Sequence, residues 1–171
     1  VTQKYHYDIS GGTYYLSADL NFSQNYINEL PIYVNGTAKI CLNGHTLTLL
    51  EDTQFEVMSG GITLCGCDSD GDGVRGKVIT SAKKLIYSSD IKNRITVSLQ
   101  NVDIECKTNF SYWDRYHYMM IAIQFGDFNM SNVNFTYTGT KDSKLDKIIF
   151  LDIASFKDLD TELNNASVGG N

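Results

Sequence analysis

Val97–Cys106 reads VSLQNVDIEC, and Phe128–Tyr137 reads FNMSNVNFTY. Each has apolar residues at i and i+2, a polar turn, and then a second alternating run. They share a core, Asn101-Val102-Asp103-Ile104 in one and Asn132-Val133-Asn134-Phe135 in the other. ICLNGHTLTL, starting at Ile40, fits the same frame. So do Gly61–Cys67 (GITLCGC) and Gly76–Thr80 (GKVIT), with CGCDSDGDGVRG as an insertion at the turn. A third short run completes each unit: QFEVM, KLIY, MIAIQF and IIFLDI.

Period-2 alternation with β-branched and aromatic residues, punctuated by Gly, Asn, Asp and Ser, predicts strands. Units recurring every 20 to 35 residues or so predict a solenoid. Because each unit is all strand, its apolar face is buried only against its neighbours, which predicts a stacked β-solenoid. An irregular β-sandwich is the alternative. Ile40, Leu42, Leu47, Leu49, Ile62, Leu64, Val78, Val97, Leu99, Val102, Ile104, Phe128, Met130, Val133 and Phe135 are expected to face the interior, since a one-residue slip would send the whole set into water. Asn101 and Asn132 are expected at equivalent turns of successive coils, where a stacked Asn can bond to the next.

The 171 residues suffice for one well-buried core. A composition of 42% hydrophobic and 20% charged residues is globular rather than disordered. The net charge of −6 argues against nucleic acid, which requires clustered Lys and Arg; it suits a cation or neutral sugars. No apolar run approaches the roughly 20 residues of a membrane span, so no membrane insertion is expected. VTQKYHYDIS has no signal-peptide core. The four cysteines are too few and too irregularly spaced for a disulfide scaffold.

GGTYYLSADLNF (Gly11–Phe22), ICLNGHTLTL and ITLCGC together resemble the opening of right-handed parallel β-helix modules of the pectate-lyase-like superfamily, found in large secreted bacterial surface proteins. Chains of that kind carry a GxYxLxxDL opening, a CLNGHTL strand pair and an LxLxDCSG-like turn. The likeness spans Gly11 to Gly76; from Lys77 onward only the coil pattern supports it. The acidic DSDGDG turn and a long aromatic loop depart from it. The resemblance implies a right-handed parallel β-helix of about four three-strand coils in an extracellular or cell-surface setting. It implies no activity, because the superfamily holds both polysaccharide-active enzymes and modules without known chemistry.

On this reading the chain is a single domain: residues 1–36 form N-terminal cap strands, 37–153 the coils, and 154–171 a short C-terminal helix or the lead-in to a following module. DLDTELNNA is the one helical-looking stretch, with Leu159 and Leu163 a turn apart. SFKDLDTELNNASVGGN also resembles the helix and GG turn that precede such modules.

Leu64–Gly76 (LCGCDSDGDGVRG) holds two overlapping motifs. GDGVRG spells a dinucleotide fingerprint, but that needs a following helix, and GKVIT reads as strand. Asp68, Asp70 and Asp72 occupy positions 1, 3 and 5 of an EF-hand-like loop, with Gly73 at position 6. Ile79 stands where the bidentate Glu belongs, so this is no EF-hand. The three carboxylates remain candidate Ca²⁺ ligands; a solvated turn is the alternative. No other cofactor is expected. Cys65-Gly66-Cys67 alone is a weak metal motif. Cys41, on the outward face one coil below, is placed to bridge Cys65 or Cys67. Cys106 falls on an inward position as a core thiol.

Catalysis has little support. G-x-S-x-G and H-E-x-x-H are absent, and His6, His45 and His117 are dispersed. His45 belongs to the NGH turn, where a structural hydrogen bond is expected. Thr108–Met120 (TNFSYWDRYHYMM) is the most distinctive stretch. Tyr112, Trp113, Asp114, Arg115, Tyr116 and Tyr118 combine ring faces that stack on sugars or partners with groups that bond hydroxyls; the alternative is a loop that covers a flank. The expected function is a noncatalytic module acting in adhesion or binding a glycan or another surface protein. A polysaccharide lyase or hydrolase domain and a pure spacer are the alternatives.

Overall fold

A computed structural model describes residues 7–22, 31–50, 53–67, 73–109, 119–140, 149–158 and 161–166. These residues form β1 (Tyr7–Tyr15), β2 (Leu20–Phe22), β3 (Ile32–Cys41), β4 (Thr46–Leu49), β5 (Phe55–Cys65), β6 (Lys77–Thr80), β7 (Ile86–Ser88), β8 (Ile95–Gln100), β9 (Asp103–Cys106), β10 (Met119–Ile123), β11 (Gly126–Ser131), β12 (Asn134–Tyr137), β13 (Ile149–Asp158) and β14 (Thr161–Ala166). Among them no helix is long and apolar enough to cross a membrane.

The strands stack in parallel into a β-solenoid of about four turns. One sheet, A, runs β1-β3-β5 and then continues along β7-β10-β13 and, in parallel, along β8-β11. The other, B, runs β12-β9-β6-β4-β2. Val97 of β8 sits in register between Ile62 and Phe128, and Leu99 between Leu64 and Met130. In sheet B, Ile104 sits between Val78 and Phe135. The repeats aligned in the sequence are therefore successive layers of one stack.

Three-strand units are visible only in the upper coils. Lower down, QFEVM and GITLC fuse into the single bent strand β5, and β1 and β3 span the same two halves. The bend is a register shift after Val34 in β3, next to Gly36 and Gly60, both at positive φ. At Gly60 a Cβ would stand 2.5 Å from the Gly36 carbonyl carbon, so only glycine lets the two bends nest. Above them a six-residue loop parts β7 from β8, and Gln124-Phe125 parts β10 from β11.

The core fills the space between the sheets. Ile40, Leu42, Leu47, Leu49, Ile62, Leu64, Val78, Val97, Leu99, Val102 and Ile104 are all buried, as the alternation requires. Phe128 and Val133 are partly buried against them, whereas Met130 and Phe135 are 57% and 38% exposed. Their register matches the buried residues beneath, but among the described residues no strand lies beyond β11 and β12. They face the open end of the stack, so burial departs there from the expectation.

Among the described residues, the C-terminal helix expected around DLDTELNNA is not seen. Thr161–Ala166 is instead strand β14, antiparallel to β13, with Leu163 opposite Phe156. Two adjacent asparagines, Asn164 and Asn165, weaken helix formation. An outer parallel strand leaves a row of unpaired backbone groups that a hairpin partner satisfies.

Candidate functional site

The outward face of sheet A carries a row that the sequence reading passed over. Asp8, Tyr33, Glu56 and Tyr87 are in register on β1, β3, β5 and β7. Their neighbours Ile32, Phe55 and Ile86 point inward and are buried, which forces this row outward. Tyr33 and Tyr87 flank Glu56, so the two tyrosines stand two strand spacings, about 9.6 Å, apart. Lys84 joins the row with its Nζ 4.1 Å from the centre of the Tyr87 ring. Burial pushes the Lys84 ammonium below the usual lysine range, and Glu56 partly offsets this. The available signal was an Ile-Tyr pair at matching places in IYV and IYS. Periodicity does not reveal it, because IYV lies in the stretch assigned to the cap and IYS at the end of the KLIY run.

Tyr112, Trp113, Asp114, Arg115, Tyr116 and Tyr118 lie outside the described residues. The strand that follows them, β10, opens at Met119 and pairs with β7, Ala122 being the partner of Tyr87. β10 itself therefore lies beside the tyrosine row.

The outward face of sheet B is a ladder of polar groups that bind one another. Lys77 Nζ lies 2.6 Å from Glu105 Oε2, Lys107 Nζ lies 3.3 Å from Glu105 Oε1, and Thr138 Oγ1 donates to Glu105 at 3.1 Å. The lysine and hydroxyl bonds, led by Lys77, hold the Glu105 carboxyl down at about 2. Asp103, two residues earlier on the same face, accepts from Asn134 Nδ2 at 2.9 Å and lies 3.4 Å from Arg75. Two carboxylates on one face invite comparison with a glycosidase. In such a site one carboxyl is raised to act as the acid and the other stays ionised; Glu105, shifted downward, is not the raised acid. Near the open end, Arg94 binds Asp127 through two nitrogens, raising its own pKa and lowering that of the aspartate.

At the turn between the sheets the chain leaves β5 at Gly66 and returns at Gly76. Asp68, Asp70 and Asp72 lie outside the described residues. The flanking residues explain how the insertion is tied down. Cys67 forms a disulfide with Cys41, their Cα atoms 5.9 Å apart. Cys41 faces outward as expected, yet it is fully buried, with Cys67 bridged to it. Cys65 remains a thiol, its Sγ 3.4 Å from Cys67 Sγ. Arg75 reaches up two coils: it donates to the carbonyls of Asn101 and Asn132, at the turns that align the upper layers. His45 donates its backbone N–H to Leu42 within its own turn, and Asp19 of the layer below accepts from the N–H of Thr46 at 2.8 Å. Cys106 is buried, with its sulfur against Thr108 and Met120.

Comparisons with protein-family models, curated proteins and solved structures return no match.

Proposed function

We propose that the chain is a noncatalytic β-solenoid module of a secreted or surface-anchored bacterial protein, and that it binds glycan through the tyrosine row of sheet A. The observation that carries this reading is the register of Tyr33, Glu56 and Tyr87 on one outward row. Aromatic rings spaced along one face suit sugar rings, and the Glu56 carboxylate between them and the Lys84 ammonium beside Tyr87 suit hydroxyls. Tyr112, Trp113, Asp114, Arg115, Tyr116 and Tyr118 are proposed to add to this binding surface; β10, which follows them in the chain, pairs with β7 beside Tyr87.

Three further points support parts of the reading. The resemblance to pectate-lyase-like surface modules favours a bacterial cell-surface setting. The Cys41–Cys67 disulfide favours an oxidising compartment. The engagement of Asp103 and Glu105 in cation and amide contacts favours binding over lyase or hydrolase chemistry. Asp68, Asp70 and Asp72 are proposed as Ca²⁺ ligands that order the insertion. Flat calorimetric traces for both the wild type and an Asp70→Ala/Asp72→Ala variant would end that part.

The test is a glycan array followed by calorimetry on any hit. Binding should fall at least tenfold in Tyr33→Ala and in Tyr87→Ala while the thermal transition is retained. An array without hits would favour the spacer reading, which the internally satisfied ladder of sheet B also suits.

A further inference from the structure

The three sulfurs at the mouth of the insertion stand apart from the tyrosine row. Cys41 and Cys65 are direct register partners on adjacent parallel strands, so their side chains leave the sheet on the same side. Cys67 follows two residues after Cys65, and the chain turns at Gly66 to bring it back over both. A Cβ at Gly66 would stand 2.3 Å from the Asn101 carbonyl oxygen, so the turn depends on glycine. The three Sγ atoms lie within 4.8 Å of one another; Cys41 and Cys65 are buried and Cys67 is partly open to solvent.

We propose that Cys41, Cys65 and Cys67 form a three-thiolate site for a thiophilic monovalent cation, Cu⁺, which the Cys41–Cys67 disulfide closes and an external dithiol opens. Thiolates are soft ligands that select Cu⁺. Metal–thiolate bonds of about 2.3 Å in a trigonal plane place the sulfurs about 4.0 Å apart, inside the observed limit. Cu⁺ accepts three donors, which is the number gathered here. Opening consumes one dithiol: its two thiols become a disulfide, and their two electrons and two protons convert Cys41–Cys67 into two thiols. Cu⁺ then displaces the thiol protons. Oxidation of Cys41 and Cys67 removes two of the three ligands at once, so disulfide and metal exclude each other. Cys65, which the disulfide does not use, is the residue that distinguishes a metal site from a simple crosslink.

The experiment uses the full chain without oxygen. Alkylation first establishes the states, with two reactive thiols after denaturation in the oxidised form and four in the reduced form. Cu⁺ is then titrated against a chromophoric chelator. The reduced protein should take up one Cu⁺ per chain and the oxidised protein none. Cys65→Ser should weaken uptake at least tenfold, whereas Cys106→Ser should leave it unchanged. X-ray absorption on the wild type reads the site without a variant and should show three sulfur neighbours. Equal uptake by the oxidised form, undiminished affinity in Cys65→Ser, or two sulfur neighbours would overturn the proposal.

Discussion

Asn132 Nδ2 donates to Asn101 Oδ1 at 2.8 Å, across two successive coils. Both residues have φ near +50°, in the left-handed region. Asn tolerates that conformation better than other non-glycine residues, and its amide continues the ladder where the backbone turns a corner. Asn132→Ala should therefore cost about 1–2 kcal/mol, largely from the left-handed backbone. Asn132→Gly should cost less, because the backbone part is recovered. Urea midpoints of the two variants check this; an equal loss would assign the effect to the amide.

Leu99 and Met130 are register partners, but Leu99 is fully buried and Met130 is 57% exposed. Leu99→Ala should destabilise by about 2–5 kcal/mol. Met130→Ala should cost less than about 1 kcal/mol, as for exposed sites. Chemical denaturation of the pair measures the contrast directly. Comparable losses would mean that the end of the stack is covered.

Glu105 is held at about 2, below its ordinary value of 4.5, chiefly by Lys77. A carboxyl depressed on folding contributes stability above its unfolded pKa and loses it as the pH falls through the folded one. The thermal midpoint should therefore drop between about pH 4.5 and pH 2, and less steeply in Glu105→Gln. Parallel pH curves for the two proteins would contradict this role.

The Cys41–Cys67 disulfide closes a 26-residue separation. Cys67→Ser should lower stability by about 2–4 kcal/mol, in the usual range for such a crosslink. Calorimetric unfolding of the oxidised wild type and the variant tests this. The difference should vanish once the wild type is reduced.

The stack was legible in the sequence because each layer repeats the same alternation, and the NV turns fixed which residues lie above one another. The bridge from Cys41 was legible as far as its two candidate partners, but the choice of Cys67 depends on the turn at Gly66, which alternation does not encode. The expected helix failed for a related reason. Leu159 and Leu163 fit a helical spacing, but the backbone of Thr161–Ala166 pairs with the edge of β13, a tertiary demand that local spacing does not carry. The tyrosine row was hidden because Tyr33 and Tyr87 lie far apart in the chain and meet only through Glu56 between them.

The central claim is that Ile62, Val97 and Phe128 form one column of a parallel stack. Nuclear Overhauser contacts in the assigned protein test it most directly. The account predicts contacts linking Ile62 to Val97 and Val97 to Phe128, in the staggered amide-to-Hα pattern of parallel strands. Close Hα–Hα contacts between these segments, the mark of antiparallel pairing, would contradict it.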